Sequence, residues 1–217
     1  MDLSGRLAAW LWLVGVVSAL AWIGNLAAEA TPKDAVYKYS TGISELVLFG
    51  LILTVVFWIA RGLPKREAFA LRRPRSWWRA AALGFGVFVT IWIVTVALEP
   101  VLHPGREQGL TPSTWESAHA GAFALNIFAL AIVGPVVEEL TFRGLGFRLF
   151  LPYGQTIAIV AIGIAFALWH GLLHALPVLF VFGAALAFLR ARTDSVYPGM
   201  ILHASFNALA LAVAVTV

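Results

Sequence analysis

The sequence contains no cysteine, few charged residues and only three aspartates. Without cysteine the chain has no disulfide, no thiolate metal site and no cysteine nucleophile. Charged residues make up 12% of the 217 residues, about half the fraction usual in soluble domains. Asp2, Asp34 and Asp194 lie outside or at the edges of apolar runs, which excludes an intramembrane aspartyl pair. The sequence also lacks a G-x-S-x-G serine elbow and an H-E-x-x-H zinc helix.

Apolar residues are abundant instead. They make up 61% of the chain, and the mean hydropathy is +0.88. A chain of this length can bury such a surplus only in lipid, where a membrane helix takes about 20 residues. Seven apolar runs occur, at about 7–28, 43–60, 80–98, 118–150, 156–173, 177–189 and 196–217, and all but the sixth approach or exceed that length. The sequence therefore predicts an all-α, polytopic transmembrane helix bundle with about seven to eight membrane helices.

The basic residues predict the orientation of the chain. The segment 61–79 carries seven Lys or Arg residues and one Glu, and basic loops remain in the cytoplasm. The N-terminus and the 61–79 loop are therefore placed in the cytoplasm, and the 29–42 and 99–117 loops outside. Arginine outnumbers lysine twelve to three, a bias typical of GC-rich bacterial genomes. We expect a multi-pass protein of the cell membrane, in a bacterial inner membrane.

The chain shows no division into parts. We find no internal repeat, no low-complexity tract and no long linker, so we predict a single membrane domain over 1–217. The basic residues lie at the ends of apolar runs, where they mark the membrane boundary and do not indicate a nucleic-acid partner. The expected partner of this surface is the lipid bilayer.

Polar segments also occur within the apolar runs, where ionisable side chains are costly and usually functional. In the first, Glu139 and Arg143 are four residues apart, so their side chains share a helix face and can pair. Glu138 points about 100° away and lacks that partner. We therefore expect Arg143 to keep Glu139 ionised and Glu138 to be free to take a proton. The alternative is an ordinary ion pair at a cytoplasmic helix end.

The second and third polar segments carry histidines. His170 lies deep in an apolar run, and His174 follows one turn later, near the end of the span. This pair has the spacing of metal ligands, but the glutamate of a zinc helix is absent, so the helix alone does not indicate a metal site. His203 and Asn207 are four residues apart and project from one helix face. Hydrogen bonding between helices is the alternative role for these side chains.

A count along the helices tests whether these residues lie at one depth. Glu138 and His170 come out roughly 18 and 22 Å from the turn between their spans, and His203 is shallower, at roughly 11 Å from its own end. Together they supply the groups that hydrolyse an amide without a covalent intermediate. A glutamate can take a proton from water and a histidine can orient that water. A second histidine and the Asn207 amide can donate hydrogen bonds to an oxyanion.

The three segments form an ordered set of motifs, Glu138-Glu139-x-x-x-Arg143, Phe166-x-x-x-His170 and His203-x-x-x-Asn207. This set resembles that of the CPBP intramembrane protease family, also called the type II CAAX prenyl endopeptidase or Abi family. Each motif is complete and lies on its own predicted helix. The resemblance covers about 118–217, which we expect to form the catalytic core.

The resemblance implies a role for each motif residue. Glu138 and His170 would activate water, and His203 and Asn207 would stabilise the oxyanion. The supporting residues would be Glu139, Arg143 and Phe166. The family is often labelled metalloprotease, and zinc would then be held by Glu138, His170 and His203. We expect no metal cofactor, because an arginine so close opposes a dication, and keep zinc as the alternative.

We therefore expect an intramembrane peptidase. It would cut near a membrane-embedded or C-terminal segment of a membrane-anchored protein or peptide. Relatives trim prenylated C-terminal tripeptides, process C-terminal membrane anchors or take part in bacteriocin immunity, and the sequence does not distinguish among these roles. Two other functions stay open, a non-catalytic bacteriocin-immunity or binding membrane protein and a small transporter. The complete motifs disfavour the first, and the lack of an inverted repeat disfavours the second.

Overall fold

The computed structural model describes residues 1–27, 34–103 and 114–214. Besides a 3₁₀ turn at Ala35–Tyr37, these residues form eight helices: α1 (Leu3–Ala27), α2 (Tyr39–Ile59), α3 (Lys65–Ala68), α4 (Trp77–Leu102), α5 (Ser117–Tyr153), α6 (Gln155–Trp169), α7 (Leu176–Thr193) and α8 (Tyr197–Ala214). Five of them, α1, α2, α4, α5 and α7, are long and apolar enough to cross a membrane, and α6 and α8 are shorter apolar helices. The described residues contain no β-strand. The prediction of an all-α, polytopic helix bundle is confirmed.

Most helices extend beyond the apolar runs that predicted them. Helix α2 begins at Tyr39 and α4 continues to Leu102, so both enter segments that were predicted as outer loops. Apolar residues mark the hydrocarbon core, whereas a helix continues into the headgroup region on either side of it. The middle of each outer loop, 28–33 and 104–113, lies outside the described residues.

The basic segment 61–79 is folded against the bundle. Phe69 is fully buried. Arg72 donates to the backbone carbonyl of Asp194 (2.8 Å) and, with Arg190, contacts its carboxylate. Partial burial alone would raise the pKa of Asp194, but these two arginines lower it. The segment is therefore fastened to the junction between α7 and α8.

Helix α1 packs on α2 and α5 through two polar side chains. The guanidinium of buried Arg6 donates to the carbonyl of Ile59 and to that of Arg61 (2.9 Å), at the carboxyl end of α2. Carbonyls at a helix end have no partner within the helix, so Arg6 caps α2. Farther along α1, Trp10 Nε1 donates to the carbonyl of Thr141 on α5 (2.9 Å).

Helix α5 is irregular on both sides of its two glutamates. It contains π-helical segments at Phe128–Val133 and Leu140–Gly146. A π turn frees backbone carbonyls from the regular hydrogen-bond pattern and often occurs at functional sites. The carbonyls of Leu130 and Thr141 accept hydrogen bonds from α8 and α1, respectively. The π segments therefore join α5 to its neighbours directly above and below the glutamates.

Helix α6 is shorter than its apolar run predicts. It ends at Trp169, and Gly171 adopts a left-handed conformation (φ +68°) that stops the helix and that glycine adopts readily. His170 therefore lies at the carboxyl end of α6 and not deep within it, which corrects the prediction. A tight turn leads into α7, and the two helices pack closely. A Cβ atom placed at Gly183 would lie 2.9 Å from the Cβ of Phe166.

Candidate active site

Motif side chains from α5 and α8 meet inside the bundle. Glu139 is fully buried, and its Oε1 lies 2.9 Å from Arg143 Nη1 and 3.2 Å from His203 Nδ1. His203 is also buried, and its second ring nitrogen, Nε2, lies 3.6 Å from Glu138 Oε2. One imidazole thus lies between two adjacent carboxylates, although His203 was expected at a shallower depth than Glu138.

Arg143 fastens this cluster to α6 and α7. It is completely buried, and its Nη2 donates to the carbonyl of Gly183 on α7 (3.1 Å). Its guanidinium carbon lies 4.4 Å from the ring centre of Phe166 on α6, where a cation is attracted by the ring face. The pairing with Glu139 has the i,i+4 geometry that the sequence predicts. Removal of one partner would leave the other charge buried and uncompensated, which is strongly destabilising.

The two glutamates differ in exposure and partners. The side chain of Glu138 is 13% exposed, whereas that of Glu139 is fully buried in its contacts with Arg143 and His203. Close packing surrounds Glu139, because a Cβ atom placed at Gly199 on α8 would lie 2.5 Å from its Oε2. Glu138 is therefore the carboxylate that a water molecule or ligand can approach. Separate catalytic roles for the two residues stay a prediction.

His170 joins the cluster from the end of α6. Its Nδ1 lies 2.8 Å from the carbonyl oxygen of Phe166. Because a carbonyl only accepts, Nδ1 carries a hydrogen, and in the neutral ring Nε2 is left as an acceptor. His170 is close enough to Glu138 and His203 for their charges to interact. The buried Phe166 ring packs between the imidazoles, with centroid distances of 4.7 Å to His170 and 5.8 Å to His203.

Asn207 lies one turn beyond His203 on α8 and is half-buried. Its Nδ2 donates to the carbonyl of Leu130, in the first π segment of α5 (2.8 Å). This bond uses one of the two amide hydrogens and leaves the other for a ligand. His174 lies in the turn that follows α6, outside the helices that carry the motif residues.

Two further residues near the cluster were not predicted. Glu45 on α2 is half-buried and close enough to Glu138 for the two charges to interact. A carboxylate within the apolar run 43–60 was the available signal for it. Phe182 on α7 packs edge-on against His203, with ring centroids 4.9 Å apart. No sequence signal distinguishes Phe182 from the other aromatic residues of that span.

The geometry can be compared with the requirements of zinc. A catalytic zinc site needs three protein ligands that converge on one point. Within 1–27, 34–103 and 114–214, no three His, Cys, Asp or Glu side chains form a group that could hold a metal ion. The ring nitrogens of His203 face two different carboxylates, and the Arg143 cation lies beside Glu139. This arrangement does not fit a zinc site, and the absence of a metal from the working protein stays a prediction.

The same stretch of the chain matches a known family. A family model described as Type II CAAX prenyl endopeptidase Rce1-like matches residues 120–209. The match begins in α5, ends in α8 and includes every motif residue. No curated protein and no solved structure matches the chain. This match, over somewhat less than half of the chain, supports the resemblance to the type II CAAX prenyl endopeptidase (CPBP) family that the motifs carry.

Proposed function

We propose that this chain is an intramembrane endopeptidase in which a glutamate activates water without a metal. Its substrate is a membrane-anchored protein or peptide, cut near a membrane-embedded or C-terminal segment. The match of residues 120–209 to the type II CAAX prenyl endopeptidase model supports peptidase chemistry. The observation that carries the mechanism is the contrast between Glu138, which a ligand can approach, and Glu139, which is enclosed by Arg143 and His203.

We assign water activation to two hydrogen-bond acceptors, the Glu138 carboxylate and Nε2 of the neutral His170 ring. A water molecule donates one hydrogen to the Glu138 carboxylate and the other to Nε2 of His170. Glu138 takes the proton as the water oxygen adds to the carbonyl carbon of the scissile peptide bond. The same proton then passes to the amide nitrogen, the C–N bond breaks, and a carboxylic acid and an amine leave. A general base of this kind contributes about 10²–10⁴-fold to the rate.

The oxyanion of the tetrahedral intermediate needs hydrogen-bond donors. Asn207 supplies the amide hydrogen that Leu130 does not use. His203 turns Nδ1 toward the ionised Glu139, so Nδ1 carries a hydrogen, and Nε2 can donate as well only when the ring is an imidazolium. We therefore assign Asn207 as an oxyanion donor in either protonation state of the ring, and His203 as one when it is doubly protonated.

The proposed activity is tested with the purified protein in liposomes and water labelled with ¹⁸O. Two substrate classes are offered, a prenylated C-terminal peptide and peptides with a single apolar span. Hydrolysis by the chain places ¹⁸O in a new C-terminal carboxylate, which mass spectrometry detects. The Glu138→Gln protein should yield no such product. If neither class is cut while cells that express Glu138→Gln keep bacteriocin resistance, the non-catalytic immunity function replaces this proposal.

The proposed orientation can be tested because the chain has no cysteine. Single cysteines at Arg73 and Ser117, both exposed and at opposite ends of the bundle, are labelled in intact cells. The positive-inside rule predicts that a membrane-impermeant reagent reaches only position 117. Labelling of position 73 from outside would reverse the orientation. Two other loop positions are not chosen for labelling. Ala70 is fully buried, and Gly105 lies outside the described residues.

A further inference from the structure

Helix α1 lies outside the segment matched by the family, yet it contacts the end of the helix that carries His170. Trp22 Nε1 donates to the carbonyl of Leu168 (3.0 Å). Asn25 Nδ2 lies 3.2 Å from the carbonyl oxygens of both His170 and Gly171. Two side chains of α1 thus donate to three carbonyls around the residue that is proposed to orient water.

These carbonyls need partners because of where α6 ends. The helix has 15 residues, about 22 Å in length, and the hydrocarbon core is about 30 Å thick. A helix of this length does not cross the whole core, and its last carbonyls have no partner within the helix. Irregular backbone in a membrane protein is tolerated where protein supplies the hydrogen bonds. Trp22 and Asn25 supply them.

The backbone of α1 also fits closely against the turn after His170. A Cβ atom placed at Gly171 would lie 2.6 Å from the carbonyl carbon of Ala21 and 2.7 Å from the amide nitrogen of Trp22. The turn therefore has no room to shift toward α1, and the donors on α1 prevent it from moving away. The His170 ring is in turn tied to its own helix by its Nδ1 contact with Phe166.

We propose that Trp22 and Asn25 are positioning residues for His170. They hold the end of α6 in place, and the imidazole Nε2 is thereby kept facing the water that Glu138 activates. The catalytic part of this inference rests on the proposed peptidase function. It extends the functional unit to α1, beyond the 118–217 core that the motifs predict.

The test compares Trp22→Phe and Asn25→Ala with Trp12→Phe. Trp22→Phe keeps an aromatic ring and removes only the N–H donor, and Trp12 is 74% exposed on the same helix. Hydrogen exchange over 165–176, kcat and KM are measured in one detergent. We expect faster exchange over 165–176 and a kcat reduced by up to about 100-fold, as for a misplaced catalytic group, in the first two variants. KM should not change, and Trp12→Phe should match the wild type.

Two outcomes would overturn the positioning role. One is unchanged exchange in both variants. The other is faster exchange with wild-type kcat, because α1 would then only stabilise the fold. If the wild type cuts no substrate, the peptidase proposal fails by itself, and the ¹⁵N resonances of the His170 ring decide the matter. Loss of the single Nδ1–H tautomer in Asn25→Ala would support positioning by α1, and an unchanged ring spectrum would refute it.

Discussion

The two adjacent glutamates of α5 lie in two contrasting regions of the site. Around Glu139 the packing is close. Arg143 and His203 contact the carboxylate, and a side chain at position 199 larger than the hydrogen of glycine would meet it. Around Glu138 the packing is open, with a partly exposed carboxylate. Residue type is the same in both regions, so the surroundings and not the side chain set the chemistry. One region holds charges in place, and the other is available to a reactant.

The strongest test of this contrast is Glu138→Gln. Glutamine keeps the size and hydrogen bonding of glutamate but cannot take a proton, so activity should fall by about 10²–10⁴-fold or more. The melting temperature should stay close to that of the wild type, because Glu138 is not part of the buried ion pair. Cleavage of one substrate and thermal unfolding in the same detergent check both statements. An active but destabilised Glu138→Gln protein would mean that the two glutamates have been assigned the wrong way round.

Asn207→Ala should have the next largest effect on activity. Loss of one oxyanion donor costs about 10²–10³-fold in kcat. The variant also removes the hydrogen bond to the Leu130 carbonyl, worth about 1 kcal/mol of the free energy of unfolding. The measurement is kcat together with the unfolding free energy. An equal loss of activity in Ser205→Ala, on the exposed side of the same helix, would argue against a specific role for Asn207.

Glu139→Gln should behave in the opposite way to Glu138→Gln. It leaves Arg143 buried without a charged partner, which costs about 3–5 kcal/mol of stability. Part of the activity should remain, because Glu138 and His170 are untouched. Circular dichroism on heating and cleavage at a temperature below unfolding separate the two effects. A stable and inactive protein would show that Glu139 takes part in the chemistry.

Gly199→Ala probes the close packing around Glu139 alone. The added methyl group would meet Glu139 Oε2, and such overpacking costs about 1–3 kcal/mol. Gly86→Ala is the matched control, since a Cβ atom at Gly86 on α4 meets nothing within 4 Å. Thermal unfolding should show a lower melting temperature for Gly199→Ala only. Equal melting temperatures would mean that Glu139 has room to move.

The smallest expected effect is that of chelation. Without a metal in the mechanism, strong chelators should leave activity unchanged, and elemental analysis should find much less than one zinc per chain. About one zinc per chain, lost in His170→Ala and in His203→Ala, would make these residues ligands. The open region around Glu138 would then be a metal site and not a water site.

The sequence predicts the helices and one half of the site. Hydropathy locates the spans, and the i,i+4 rule is enough to pair Glu139 with Arg143 because both lie on one helix. The place of His203 between two glutamates depends on how α8 packs on α5, which no local pattern encodes. The early end of α6 depends on the left-handed conformation of Gly171. A glycine within an apolar run does not by itself predict that a helix ends there.

Contacts across large sequence separations are the hardest to predict. Asn25 contacts the carbonyls of His170 and Gly171, from which it is separated in the sequence by more than half of the chain. The π segments of α5 are also absent from any local pattern, since Phe128–Val133 is an ordinary apolar stretch. The carbonyls that these segments free accept hydrogen bonds from Trp10 and Asn207, which lie on other helices.

The fully buried pair of Glu139 and Arg143 has a consequence for how the protein enters the membrane. A lone charge at the centre of a spanning helix raises the cost of insertion by about 2.5–3.5 kcal/mol. These two charges lie on successive turns of one helix, 2.9 Å apart, and so neutralise each other before any later helix has been synthesised. The pair can therefore leave the translocon as an electrically balanced unit of α5. The partners that finally enclose the pair, on α6, α7 and α8, are needed only after insertion.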